Sequence, residues 1–193
     1  MSTADPEWVG HALASYAESW LGVKEASSNR GPEVDFFVRI AGGRPTRRPP
    51  GCAYFVTFCC DQLRRTGLEL HDVRTGRAVK HWLAADEGRR VARDDIWDFP
   101  NPRGLIYVRT RTSKPINDAN KVRRGISRTG HVGIVSSVCK ETGTIIGTAG
   151  NSSGAGHSAG SGAVCNEVIE KGGRAWDRIV GFISVVDLPT EVA

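Results

Sequence analysis

Residues 49–63 read PPGCAYFVTFCCDQL, and this stretch predicts the central helix of the fold. Two prolines and a glycine disfavour a helix before them, so the helix is expected to begin at Cys52. It should end at Gly67, where glycine permits the chain to leave the helix. Apolar residues recur at helical spacing on the side of Cys52 and predict a buried face, made of Phe55, Val56, Cys59 and Leu63.

A thiol at the start of a helix has a definite chemistry. The unpaired N–H groups of the first turn and the positive end of the helix dipole favour the thiolate form. The same N–H groups can hold a developing oxyanion. Cys52 is therefore a candidate nucleophile, and the alternative is a small core residue, because free cysteine is among the most buried residue types.

Two later stretches supply a candidate base and a polar partner for it. Residues 129–138 read TGHVGIVSSV and residues 145–153 read IIGTAGNSS, and each contains a β-branched run that is typical of a strand. If the two strands pair as a hairpin through residues 140–143, then His131 and Asn151 lie toward the same open end. A cysteine activated by a histidine, which a side-chain carbonyl orients in turn, is an arrangement used for nucleophilic acyl transfer.

The ordered set of motifs resembles the CHAP domains (cysteine, histidine-dependent amidohydrolases/peptidases) and their NlpC-type relatives, which cleave peptidoglycan peptides. The motifs span most of the chain and comprise residues 29–34 (NRGPEV), 51–56 (GCAYFV), Trp82, 130–135 (GHVGIV), 150–152 (GNS) and 181–183 (GFI). The resemblance implies a papain-like fold with Cys52 as nucleophile, His131 as base and Asn151 as the residue that supports the histidine. It implies neither a metal nor an organic cofactor.

The chain departs from many of these relatives at three positions. Gly51 precedes the cysteine where tryptophan is common, and Leu105 follows Gly104 where aspartate is common. Ala149 stands two places before the asparagine, where many relatives have an acidic residue. The amide of Asn151 is then the best remaining candidate to accept a hydrogen bond from the histidine.

Substrate contacts are expected from two parts of the chain. Asn29 and Tyr54 lie in the motifs of the resemblance, and Asn29 is a candidate second donor to the oxyanion. Arg123 and Arg124 lie in the long basic connection of residues 111–129, which leads directly to the candidate histidine. Such a loop can form a docking edge for an anionic polymer, and the alternative is a solvated basic loop.

The order of the sequence patterns predicts one α+β domain over residues 1–193, with N-terminal helices packed on a C-terminal antiparallel sheet. The predicted helices begin at Pro6 with a face that reaches Leu21, at Pro32 to end at Ala41, at Cys52, and between Arg77 and Asp86. The predicted strands cover residues 105–109, 132–138, 144–148, 163–169 and 179–186.

Composition narrows the function classes. A content of 39% hydrophobic and 24% charged residues is ordinary for a soluble globular protein. The net charge of +5 favours adhesion to an anionic cell wall, and no nucleic-acid-binding motif is present. Five cysteines without a regular spacing imply no disulfide framework and no zinc site, although a disulfide between Cys139 and Cys165 stays open.

The sequence contains no stretch that is apolar and long enough to span a membrane, and it begins without the pattern of a Sec signal. We therefore expect synthesis in the cytoplasm and action in the periplasm or cell wall, after export by another route or after lysis. The expected protein is a monomer. Its partners would be peptidoglycan and, if it is a secreted effector, an immunity or inhibitor protein.

The predicted function is a cysteine amidase or endopeptidase that cleaves an amide bond of bacterial cell-wall peptides through a thioester. Two alternatives stay open from the sequence. One is a catalytically silent module that binds the cell wall or another protein, in which the cysteine belongs to the core. The other is a cysteine amidase that acts on a soluble conjugate.

Overall fold

A computed structural model describes residues 5–27, 29–47, 51–71, 74–110, 130–152 and 163–188. Within these ranges the α-helices are α1 (Pro6–Glu18), α2 (Pro32–Ile40), α3 (Gly51–Arg65), α4 (Ala78–Ala84) and α5 (Arg174–Asp177). Short 3₁₀ turns cover Pro45–Arg47, Glu87–Arg89 and Asp94–Trp97. The strands are β1 (Arg90–Val91), β2 (Ile106–Thr110), β3 (Gly130–Cys139), β4 (Thr144–Ser152), β5 (Ala163–Glu170) and β6 (Ile179–Ile183).

The strands form one antiparallel sheet in the order β1-β6-β2-β3-β4-β5. Four helices precede the sheet's long strands in the described sequence, so the predicted α+β class is confirmed. The predicted hairpin between β3 and β4 is also confirmed, with Cys139 paired to Thr144 across the turn. Strand β1 was not predicted, because a two-residue strand is too short to carry an alternating pattern and forms by pairing with β6.

Helix α1 begins where the sequence predicts it. The Asp5 side chain accepts a hydrogen bond from the Glu7 N–H at 3.0 Å, as an N-cap does. The prediction that the helical face continues to Leu21 is wrong, because the helix ends at Glu18 and the chain turns through a 3₁₀-type bond between Leu21 N–H and the Glu18 carbonyl. Leu21 is 40% exposed as a result.

Helix α3 lies at the centre of the molecule. Its predicted face is buried, but so are Ala53, Phe58 and Cys60 on other sides. The reason is that α1 and α2 pack on one flank of α3 while β3 and β4 pack on the other. The ring of Phe58 lies 4.7 Å from that of Phe37, and burying each such ring contributes about 1.5–3 kcal/mol.

The sheet is covered on both faces. Along β2, Ile106 and Val108 belong to a hydrophobic cluster with the helices, while Tyr107 belongs to a second cluster with Trp97 and Trp176. Consecutive side chains of a strand point to opposite faces, so these two clusters lie on the two sides of the sheet. No disulfide joins Cys139 and Cys165: Cys139 is exposed, whereas Cys165 is buried.

Candidate active site

The first turn of α3 places Cys52 beside the end of β4. Gly150 lets this helix approach the strand, because a Cβ there would lie 2.8 Å from the Cβ of Phe55. Gly51 faces the neighbouring residue Asn151 across the same contact. Cys52 is therefore fixed between the helix start and the sheet, and it is only 3% exposed.

The structure brings the two principal candidate residues together. His131 lies in β3, opposite Arg109 of β2, and it is 2% exposed. Its imidazole forms a side-chain hydrogen bond with Cys52. A thiol at a helix start thus meets a buried imidazole, which is the pairing that activates a cysteine nucleophile.

The carboxylate beside the histidine belongs to Glu167 of β5. Its Oε1 lies 3.1 Å from Nε2 of His131, and both side chains are buried. Because Nε2 faces this carboxylate, Nδ1 is the nitrogen left to exchange a proton with Cys52. Cys52, His131 and Glu167 therefore form a thiol, imidazole and carboxylate chain.

Two side chains of β2 hold this carboxylate. The Tyr107 hydroxyl donates a hydrogen bond of 2.8 Å to Oε2 of Glu167. Nη2 of Arg109 lies 2.8 Å from both oxygens of the same carboxylate. Glu167 is thus saturated with donors and takes one orientation.

Charges and burial act in opposite directions on the histidine. Burial alone would lower the pKa of His131, but the negative charges of Glu167 and Cys52 and their hydrogen bonds more than offset it, so this pKa lies above its ordinary value. Burial, followed by the charge of Glu167, raises the pKa of Tyr107 well above its ordinary value. Tyr107 therefore remains a protonated donor at neutral pH.

Asn151 lies near the end of β4, beside the start of α3. Its backbone lies in the left-handed region at φ 52°, and the pairing of β4 with β5 shifts register between Ala149 and Ser152. Its Cβ faces Gly51, whereas the acceptor in contact with His131 is Glu167. A supporting role for Asn151 remains a prediction.

The structure describes two of the four predicted substrate-binding residues, Asn29 and Tyr54. Asn29 also has a left-handed backbone, at φ 53°, and its N–H donates to Oε2 of Glu25 at 2.7 Å. The ring of Tyr54 packs against Gly43 and Gly76, where any Cβ would overlap it. These positions give Asn29 and Tyr54 roles in local packing, and contact with substrate remains a prediction for both.

Arg123 and Arg124 lie outside the described residues. The ends of their connection are described, since Thr110 of β2 pairs with Gly130 of β3. Whether these two arginines bind substrate remains a prediction.

Sequence reasoning missed Glu167, Arg109 and Tyr107. The sequence of β5 does not single out Glu167: Cys165, Glu167 and Ile169 are buried in the structure, but the apolar Val168 between them is exposed. A glutamate at an inward position of an alternating strand is expensive unless it is paired, and so marks a candidate site.

Within the described ranges, no group of three or more histidine, cysteine, aspartate or glutamate side chains is placed to hold a metal ion. None of the helices described is both long and apolar enough to cross a bilayer. No family model matches this chain, and no curated protein or solved structure is significantly similar to it.

Proposed function

We propose that the protein is a cysteine hydrolase that cleaves an amide bond of bacterial cell-wall peptides. The observation that carries this proposal is the hydrogen-bonded series Cys52, His131 and Glu167, buried beside the first turn of α3. Each member supplies one requirement of acyl transfer: a nucleophile, a base and a group that orients and stabilises the base.

In the first half of the reaction, Sγ of Cys52 attacks the carbonyl carbon of the amide while His131 holds the thiol proton. The carbonyl oxygen becomes an oxyanion, and the N–H groups of the first turn of α3, which have no acceptor within the helix, would stabilise it. The tetrahedral intermediate collapses, the C–N bond breaks, and the amine leaves with the proton from His131. The acyl group remains on Cys52 as a thioester.

In the second half, a water molecule attacks the thioester carbonyl and His131 accepts the proton of that water. The C–S bond breaks, the acyl group leaves as a carboxylic acid, and Cys52 recovers a proton through His131. Glu167 accepts a hydrogen bond from Nε2 throughout, so the imidazolium that forms in each half is stabilised and Nδ1 stays directed at the sulfur.

The choice of substrate rests on the sequence motifs and on charge. The resemblance to CHAP and NlpC-type domains favours peptidoglycan peptides, and the net charge of +5 favours association with an anionic wall. A papain-like arrangement, with the nucleophile on a helix and the base on a strand, agrees with the positions of α3 and β3.

The proposal is tested with purified peptidoglycan and single substitutions. Wild-type protein should lower the turbidity of a peptidoglycan suspension, and Cys52→Ala and Cys52→Ser should abolish this activity. His131→Ala should lower turnover by about two to four orders of magnitude, the usual contribution of a positioned general base.

Cys59→Ala is the matched control, because Cys59 lies on the same helix and is equally buried. Circular dichroism melting should show that all variants compared are folded. Full turnover in Cys52→Ala, with loss of turnover in Cys59→Ala, would mean that Cys52 is not the nucleophile.

A further inference from the structure

We propose that Arg109 and Tyr107 are positioning residues that fix the Glu167 carboxylate in its ionised form against His131. This inference rests on the proposed function, because it concerns the same cysteine and histidine. It assigns a task to two β2 side chains that no motif of the sequence singled out.

The contacts define the task. Arg109 bridges both oxygens of Glu167 at 2.8 Å, and the Tyr107 hydroxyl donates to Oε2 at 2.8 Å, which leaves Oε1 facing Nε2 of His131. A buried carboxylate with only one partner would be free to rotate and would favour its protonated form. With three donors converging on it, Glu167 has a single orientation and remains a charged acceptor.

The path of Tyr107 shows that the fold makes room for this contact. Tyr107 starts on β2 and reaches Glu167 on β5, so its ring passes over both intervening strands. Gly133 of β3 and Gly147 of β4 lie beneath the ring, and a Cβ at either position would overlap it. Tyr107 is completely buried, and its hydroxyl reaches this carboxylate only because residues 133 and 147 have no side chains.

The charged groups around Glu167 determine how a substitution changes the pKa values of Glu167 and His131. Within the described part of the chain, the titratable or charged groups near this site include Tyr107 and Arg109 of β2, His131 of β3, Cys52 of α3, and Arg178 after α5, whose charge interacts with that of Arg109. Arg109 attracts the carboxylate and competes with His131 for it. Removing Arg109 should therefore raise the pKa of Glu167. The carboxylate, no longer shared with Arg109, should also stabilise the imidazolium of His131 more strongly.

The test follows the rate of Cys52 alkylation by iodoacetamide against pH in the full-length protein, with mass spectrometry to locate the label. The lower inflection reports formation of the thiolate–imidazolium pair, and the upper inflection reports loss of the imidazolium proton. In Arg109→Met both inflections should move to higher pH. Tyr107→Phe keeps the ring over the two glycines and should move them in the same direction by a smaller amount.

Glu167→Gln should shift the upper inflection in the opposite direction, to lower pH, because the carboxylate that stabilises the imidazolium is lost. Arg103→Met is the control for loss of one positive charge, since Arg103 pairs with Glu18 at 2.7 Å away from the site. Its profile should match the wild type. In hydrolysis assays, Arg109→Met should lower kcat with little change in KM.

Inflections in Arg109→Met and Tyr107→Phe that coincide with those of Arg103→Met would overturn this inference while leaving the proposed function intact. A wild-type profile without any thiolate step below the ordinary range of a free thiol, near about pH 8.5, would overturn both. If Arg109→Met fails to fold, Tyr107→Phe decides alone, because it removes one hydroxyl and keeps the shape of the side chain.

Discussion

Replacing Glu167 by glutamine should leave the shape of the site intact but shift the proton of neutral His131 to Nδ1, the nitrogen that must accept the proton of Cys52. The Tyr107 hydroxyl donates to Oε2, and Nη2 of Arg109 contacts both oxygens, so a glutamine oxygen at the Oε2 position keeps a contact with both donors. The amide NH₂ then takes the position of Oε1 and donates toward Nε2 of His131. The imidazole must carry its proton on Nδ1, which points the proton at Cys52 and removes the acceptor for the thiol.

The magnitude follows from the contact distance. A full negative charge at 3.1 Å from Nε2 stabilises the imidazolium by about 5 kcal/mol at an effective dielectric constant of about 20. Arg109 partly neutralises this charge, so 5 kcal/mol is an upper value. We expect kcat to fall by about 10²- to 10⁴-fold, where the upper figure matches the loss seen when an orienting carboxylate becomes an amide.

The assay is turnover of a soluble stem-peptide amide against pH, with thermal unfolding of the same samples. Glu170→Gln is the matched control, because Glu170 ends the same strand and is exposed, and it should keep wild-type turnover. Wild-type kcat and an unchanged pH profile in folded Glu167→Gln would refute the reasoning and remove Glu167 from the mechanism.

Three other predictions concern packing, backbone and pH. Gly133→Ala should displace Tyr107 and lower the free energy of unfolding by about 1–3 kcal/mol, because the new Cβ would lie 2.7 Å from Cε1 of that ring. Gly88→Ala is the control, since a Cβ there would have no atom within 4 Å, and its urea unfolding should be close to that of the wild type. Asn151→Ala should lower the free energy of unfolding by about 1 kcal/mol because of the left-handed backbone at this position, whereas Asn151→Gly should keep the stability of the wild type. Asn151→Ala should also lower turnover by less than Glu167→Gln does. An equal loss of turnover would make Asn151 the main partner of His131. The raised pKa of His131 contributes stability that is complete below its unfolded value near 6.5 and is lost as pH rises through the folded value. The difference in Tm between wild type and His131→Gln should therefore narrow as the pH rises above the unfolded pKa near 6.5, and a difference that widens would contradict the assigned charge state.

Local signals in the sequence predicted much of the architecture. The start of α1 follows from Asp5 and Pro6, which cap a helix wherever they occur before an apolar periodic run. The placement of Cys52 at a helix start and of His131 on a strand follows equally from residues next to them. Such features depend on neighbours in the chain, and a sequence displays neighbours directly.

The carboxylate could not be found in this way because its partners are distant in the chain. Glu167 meets His131 across strand β4, and it meets Tyr107 only because residues 133 and 147 are glycines. Asn151 lies at the strand end where the sequence predicts it, but the register shift and the left-handed backbone there could not be predicted from the neighbouring residues. Register and side-chain direction are set by the assembled sheet, so the third member of the site emerged only with the fold.

Mass spectrometry of the fragments released from purified peptidoglycan tests the central proposal most directly. Hydrolysis by Cys52 and His131 should generate one new amine and one new carboxylic acid per cut, with the glycosidic bonds unbroken and with no fragments from the Cys52→Ala variant. Release of fragments that carry only new sugar ends, or of the same peptide fragments by Cys52→Ala, would contradict the account.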